Sequence, residues 1–141
     1  IWKYQAEPDR GTARSLVDST STRGHLKKDV EGLAIYYGEN GTGYLIASSQ
    51  GSNEFVVYRR GATNNYVTTF EIVEGNGFDD VTHSDGIDVV SSSLGPTFPK
   101  GVLVVQDGKN NQANQNYKLV SWKEIEDAIV ALTEGRATEG R

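Results

Sequence analysis

The feature that most constrains this chain is an internal repeat. GYLIASSQG at 43–51 returns as GVLVVQDG at 101–108, and EGL at 31–33 returns as DGI at 85–87. Gly32 and Gly86 lie 54 residues apart, and Gly51 and Gly108 lie 57 apart, so two copies of one unit follow each other along the chain. Self-similarity at a period of this size marks a fold made by stacking one supersecondary unit on the next. The first copy contains four short runs, VEGLAIYY (30–37), GYLIASS (43–49), EFVVYRR (54–60) and NYVTTFEIV (65–73). The second contains GIDVVSS (86–92), GVLVVQ (101–106) and NYKLVSW (116–122). Their Val, Ile, Tyr and Thr residues fit a pleated, half-buried surface. The separators GENGT, QGSN and GATN supply the Gly and Asn that tight hairpin turns demand.

Four antiparallel strands in sequence make a meander, and the period is about that of a four-stranded propeller blade. The expected fold is therefore all-β, a β-propeller segment with blades at about 29–73 and 84–122. The opening IWKYQAEP reads as the closing strand of an earlier blade, followed by a polar stretch over 9–23. Two blades cannot close a ring, because each buries its faces only against neighbours. The missing blades are expected upstream or in another chain. After the second unit, Ser121 and Glu124 have capping-box spacing, and Trp122, Ile125, Ile129 and Leu132 follow a helical period. This predicts a short helix over 122–132. The propeller segment then spans 1–132, and TEGRATEGR at 133–141 reads as a disordered tail.

Composition excludes several kinds of chemistry. With 14 Lys and Arg against 19 Asp and Glu, no basic field exists to neutralise a run of phosphates, which argues against nucleic acid as a partner. The absence of cysteine removes disulfides, thiolate metal sites and a cysteine nucleophile together. No apolar run approaches the roughly 20 residues of a membrane span, so no membrane association is expected. The start, IWKY, has neither the charged nor the apolar region of a signal peptide, so the chain reads as mature or truncated.

Acids recur at matching places in the two units. Asp29 and Glu31 stand before the first strand of one, and Asp85 stands before the first strand of the other. In a propeller, loops leading into innermost strands gather around the central channel, so these carboxylates are expected to converge. Two readings are open for an acid before a glycine in this position: a cation ligand, or a side chain bonded to its own turn amides. Hard oxygen donors, with no cysteine and only two histidines, favour calcium or magnesium over zinc, and calcium comes first because it tolerates looser geometry. An EF-hand is excluded, because putting Gly86 at the loop's fixed glycine would place His83 where an acid belongs. Asp80 reads as a solvated loop acid and Asp88 as an outward strand residue. Lys27 and Lys28 read as a solvated pair, and the spacing of His25 and His83 specifies no metal site.

The motifs DVEGLAIYY (29–37), GYLIASSQG (43–51), SDGIDVV (84–90), VVQDGKN (104–110) and ANQNYKLVSW (113–122) together resemble the β-propeller phytases, the Bacillus-type alkaline phytases. The chain is similar to the C-terminal part of that domain, less than half of it. The resemblance implies a six-bladed propeller, secreted, that hydrolyses phosphomonoesters of myo-inositol hexakisphosphate with the help of calcium. By motif position it implies Asp29, Glu31 and Asp85 as active-site calcium ligands, and Asp79, Asp107 and Asn110 as ligands of a structural calcium. Lys109 departs from the pattern, standing where the family commonly has glutamate, and its charge should weaken the structural site. The rival reading is a truncated, non-catalytic calcium-binding segment that serves as a structural or interaction module.

Overall fold

The computed structural model describes residues 1–139. Nine strands and one α-helix form three antiparallel sheets in chain order. β1 (Trp2–Tyr4) pairs with β2 (Arg14–Leu16); β3 (Val30–Tyr37), β4 (Gly43–Ser49), β5 (Glu54–Arg59) and β6 (Tyr66–Phe70) form a meander. A second meander holds β7 (Ile87–Val90), β8 (Val102–Asp107) and β9 (Asn116–Ser121), and α1 (Trp122–Glu139) follows it directly. Each strand-like run of the repeat thus becomes a strand, and the two units become two successive sheets.

Three differences from the sequence reading have local causes. The polar stretch 9–23 contains a strand, β2, which pairs Leu16 with Trp2 and lays the Arg14 guanidinium 4.0 Å over the Trp2 ring. Three residues are too short a run to show an alternating pattern. The last strand of the first unit, expected to 73, stops at Phe70. The helix, expected over 122–132, continues to Glu139, so residues 133–139 of the expected tail are helical backbone. Residues 140 and 141 lie outside the described residues.

The repeat is visible in the backbone as well. Gly43 and Gly101 open the second strand of each unit at φ of 130° and 92°. A Cβ on Gly43 would sit 2.0 Å from the Tyr36 carbonyl oxygen, and one on Gly101 would sit 1.8 Å from that of Val90. The equivalent glycine is required in both sheets because the chain turns back onto the end of the strand before it.

The meander β3–β6 is covered on both faces, which is why β4 and β5 are buried along nearly their whole length instead of alternating. On one face Tyr36, Ile46, Phe55 and Val57 pack with Leu103 and Val105 of the next sheet and with Trp122, Ile125 and Ile129 of α1. The Trp122 ring stacks on Tyr36 at 4.0 Å, and the Tyr36 hydroxyl donates to the Lys100 carbonyl at 2.9 Å. On the other face Ala47, Val56 and Tyr58 pack with Leu26, Val17 and Ile1. Burial of each large side chain contributes about 1.5–3 kcal/mol. Among the described residues no helix is long and apolar enough to cross a membrane.

Candidate functional site

The loop leading into β7 is docked on the far end of β4. Ser48 Oγ donates to the Ser84 carbonyl at 2.6 Å in a buried bond, and Asn53 Oδ1 accepts from the His83 N–H at 2.9 Å. Between them, Gln50 Nε2 donates to the Asp85 carboxylate. The Gln50 N–H also donates to the Asp29 carbonyl at 2.9 Å. One glutamine thereby touches both Asp29 and Asp85, acids that belong to different sheets. From its own sheet Asp85 is held by Gln106 Oε1, which accepts the Asp85 N–H at 2.7 Å.

Glu31 reaches the same rim by a different device. The pairing of β3 with β4 slips between Val30 and Leu33, a bulge that re-aims Glu31 and Gly32. Gly32 lies so close to the next sheet that a Cβ there would be 2.9 Å from the Asp85 carbonyl oxygen and 2.9 Å from the Ile87 nitrogen. Asp29, Glu31 and Asp85 are all exposed. The backbone therefore brings the three acids to one edge of the two-sheet seam, with Lys27 and Lys28 exposed beside Asp29. Among the described residues no group of three or more His, Asp or Glu side chains is placed to hold a metal ion. Exposed carboxylate oxygens are the kind of donor that a hard cation such as calcium takes, and one Asp85 oxygen is occupied by the Gln50 Nε2 amide.

Asp79, Asp107 and Asn110 also come together, but around a lysine. Lys118, an inward residue of β9, sets its ammonium 2.6 Å from Asp79 Oδ1 and 2.9 Å from Asp107 Oδ2. Asn116 Oδ1 at 3.1 Å and Asn110 Oδ1 at 3.3 Å complete the shell. Asp107 is fully buried, and its Oδ1 accepts from the Thr82 and Asn110 N–H groups, both at 3.2 Å. Burial pushes the Asp107 carboxyl up, yet the lysine and the two amides outweigh it and hold it below the usual carboxylate value. Burial likewise pushes Lys118 down, and the two aspartates overcome it and raise it. The oxygens of Asp107 and Asn110 are thus already taken by internal donors, which does not fit a calcium shell of 6–8 oxygens.

A third polar cluster lies on the opposite face of the middle sheet. The buried Asp18 carboxylate accepts from the Tyr58 hydroxyl at 2.7 Å, the Ser19 N–H at 2.7 Å and His25 Nδ1 at 2.9 Å. His25 in turn stacks on Tyr66 at 3.6 Å. This arrangement pins residues 18–25 to the sheet, consistent with a structural part for His25. His83 is exposed and follows Thr82 in the loop that docks on Asn53.

Sequence reasoning missed Gln50, Gln106 and Lys118. The glutamines had a signal, since each stands within one residue of the end of its unit's second strand and just before the repeated glycine, in SSQG and VVQDG. Lys118 had one too, as a charged residue at an inward strand position beside Val120.

The phytase family model matches residues 1–136. The chain belongs to the phytase family. Among curated relatives, it is 49% identical over 129 residues to the 3-phytase of Bacillus subtilis (strain 168). That alignment takes in 89% of this chain and 34% of the relative, so the chain spans about a third of the length of that phytase. The segments that build the rim, 29–33, 48–53 and 83–87, all fall within the family match.

Proposed function

We propose that this chain supplies part of the active site of a calcium-dependent phytase, a hydrolase of phosphomonoesters of myo-inositol hexakisphosphate. The observation that carries the reading is the double attachment of Gln50, which holds Asp29 and Asp85 of successive sheets on one rim beside the bulged Glu31. Family membership and the relative's name support the reaction class.

On this reading the two meanders are adjacent blades of a propeller whose remaining blades come from upstream sequence or another chain. The relative's greater length supports that. Asp29, Glu31 and Asp85 would hold calcium at the rim, and the Gln50 amide fixes the Asp85 carboxylate by donating to it. When bound, calcium offsets the substrate's negative charge and lowers the pKa of a water for attack on phosphorus. Lys27 and Lys28, exposed next to Asp29, attract the polyanion to this edge. Water adds to phosphorus, the ester P–O bond breaks, and the inositol oxygen leaves with a proton. Secretion is part of the proposal on family resemblance.

The test is phosphate release from calcium phytate by the intact protein. Activity that needs calcium, disappears in EDTA and falls at least tenfold in Asp85→Asn supports the reading. Turnover that persists in excess EDTA overturns the calcium mechanism. Calcium binding without any turnover favours the rival, a structural or interaction module.

A further inference from the structure

We propose that the cation at the centre of Asp79, Asp107, Asn110 and Asn116 is the protein's own Lys118 ammonium, which takes the place of a structural calcium. The inference goes beyond the reading of the rim and is independent of it. All four side chains direct an oxygen at Nζ, with distances from 2.6 to 3.3 Å. An ammonium has three protons to share among four acceptors, so its donors are fully used.

The surrounding oxygens are equally committed. Asp107 Oδ1 accepts two backbone N–H groups, and Asn110 Oδ1 also accepts from Asn116 Nδ2 at 2.9 Å. The remaining amide group of Asn110 donates to the Asn114 carbonyl at 2.5 Å, which fixes the orientation of its oxygen toward the lysine. Calcium at 2.3–2.6 Å from these atoms would have to displace both the ammonium and the amides. Exposed Lys109, one residue from Asn110, adds a second positive charge to the same loop. One oxygen stands apart: Asp79 Oδ2 is buried without a partner. That uncommitted carboxylate oxygen makes Asp79 the residue to test.

The ion pair also does the mechanical work expected of a structural ion. Asp79 follows β6, Asp107 ends β8 and Lys118 lies in β9, so the lysine ties the connection between the sheets to the second meander. A fixed side chain does this without depending on the calcium concentration around the protein.

The experiment counts calcium bound to the intact protein in three forms, wild type, Asp79→Asn and Lys118→Met, by equilibrium dialysis with thermal unfolding alongside. Asp79→Asn is expected to leave the count unchanged. Lys118→Met keeps the aliphatic stem, removes the ammonium and leaves two carboxylates facing each other. It is expected to gain one calcium equivalent and a melting temperature that rises with calcium more steeply than in wild type. The rim acids are untouched in both variants, so failure here is separable from failure of the phytase reading. Loss of one equivalent in Asp79→Asn, or a folded Lys118→Met protein that gains none, overturns the proposal. Should Lys118→Met not fold, wild-type crystals soaked in calcium decide: an ion within coordination distance of Asp79 or Asp107 refutes the inference, and an intact lysine centre supports it.

Discussion

Tyr58→Phe is expected to change sign with its background. Tyr58 is 1% exposed and donates to Asp18 at 2.7 Å. Removing the hydroxyl from the wild-type protein loses a hydrogen bond to a charged acceptor, a cost of about 1.5–3 kcal/mol. Asp18 keeps Ser19 and His25 as donors, so the carboxylate is not abandoned. Asp18→Ala is harsher. His25 is partly exposed and can turn to water, whereas the Tyr58 hydroxyl is left buried and unsatisfied, and that group alone costs about 1–3 kcal/mol. In the Asp18→Ala background, Tyr58→Phe removes the orphan and recovers that amount. The same substitution should therefore destabilise one protein and stabilise the other, a swing of about 2.5–6 kcal/mol. Equilibrium urea unfolding of the four proteins reads it as shifts in midpoint. Equal destabilisation by Tyr58→Phe in both backgrounds would show that the two side chains are not coupled and that the Asp18 cluster does not anchor the segment.

Two other outcomes follow from the structure. Burial pushes the Asp18 carboxyl up, but the bonds from Tyr58, Ser19 and His25 outweigh it and leave the carboxyl below its usual value. The unfolded chain then binds the proton first, so Asp18 contributes stability above about pH 4 that is lost as pH falls through its lower folded value. Melting temperatures taken downward from pH 5 should show a steeper acid loss in wild type than in Asp18→Asn. Gly43→Ala, with φ at 130° and the new Cβ 2.0 Å from a carbonyl oxygen, is expected to cost at least about 2 kcal/mol. Gly41→Ala, also at positive φ but facing open space, should cost only about 1 kcal/mol, and similar losses at both positions would contradict the close-approach reasoning.

Most of the fold was legible because the repeat and the turn residues agree with each other. Glycine at 43 and 101 is forced by the backbone in both units, so its recurrence in sequence carried real structural information. β2 was hidden because three residues of mixed character make no pattern, and the helix runs past its expected end with Glu, Arg and Ala beyond Leu132 favouring helix against Gly135. At the candidate site, the acids before each first strand stand out by their repeated spacing. What spacing does not encode is who satisfies whom. The family resemblance implies Asp79, Asp107 and Asn110 as calcium ligands, and in the structure they surround the Lys118 ammonium, which sits 8 residues beyond Asn110 on another element. Gln50 was missed for a similar reason, because its importance comes from two bonds to segments 21 and 35 residues away.

Because Ser48, Gln50 and Asn53 each grip a different atom of the loop before β7, the end of β4 and the short turn after it act as a gauge block between the two sheets. Lengthening that turn by even one residue would leave every strand intact yet put the acids out of alignment. The hairpin at 61–64, at the opposite end of the sheet, is gripped by Lys3 instead and sets nothing at the rim.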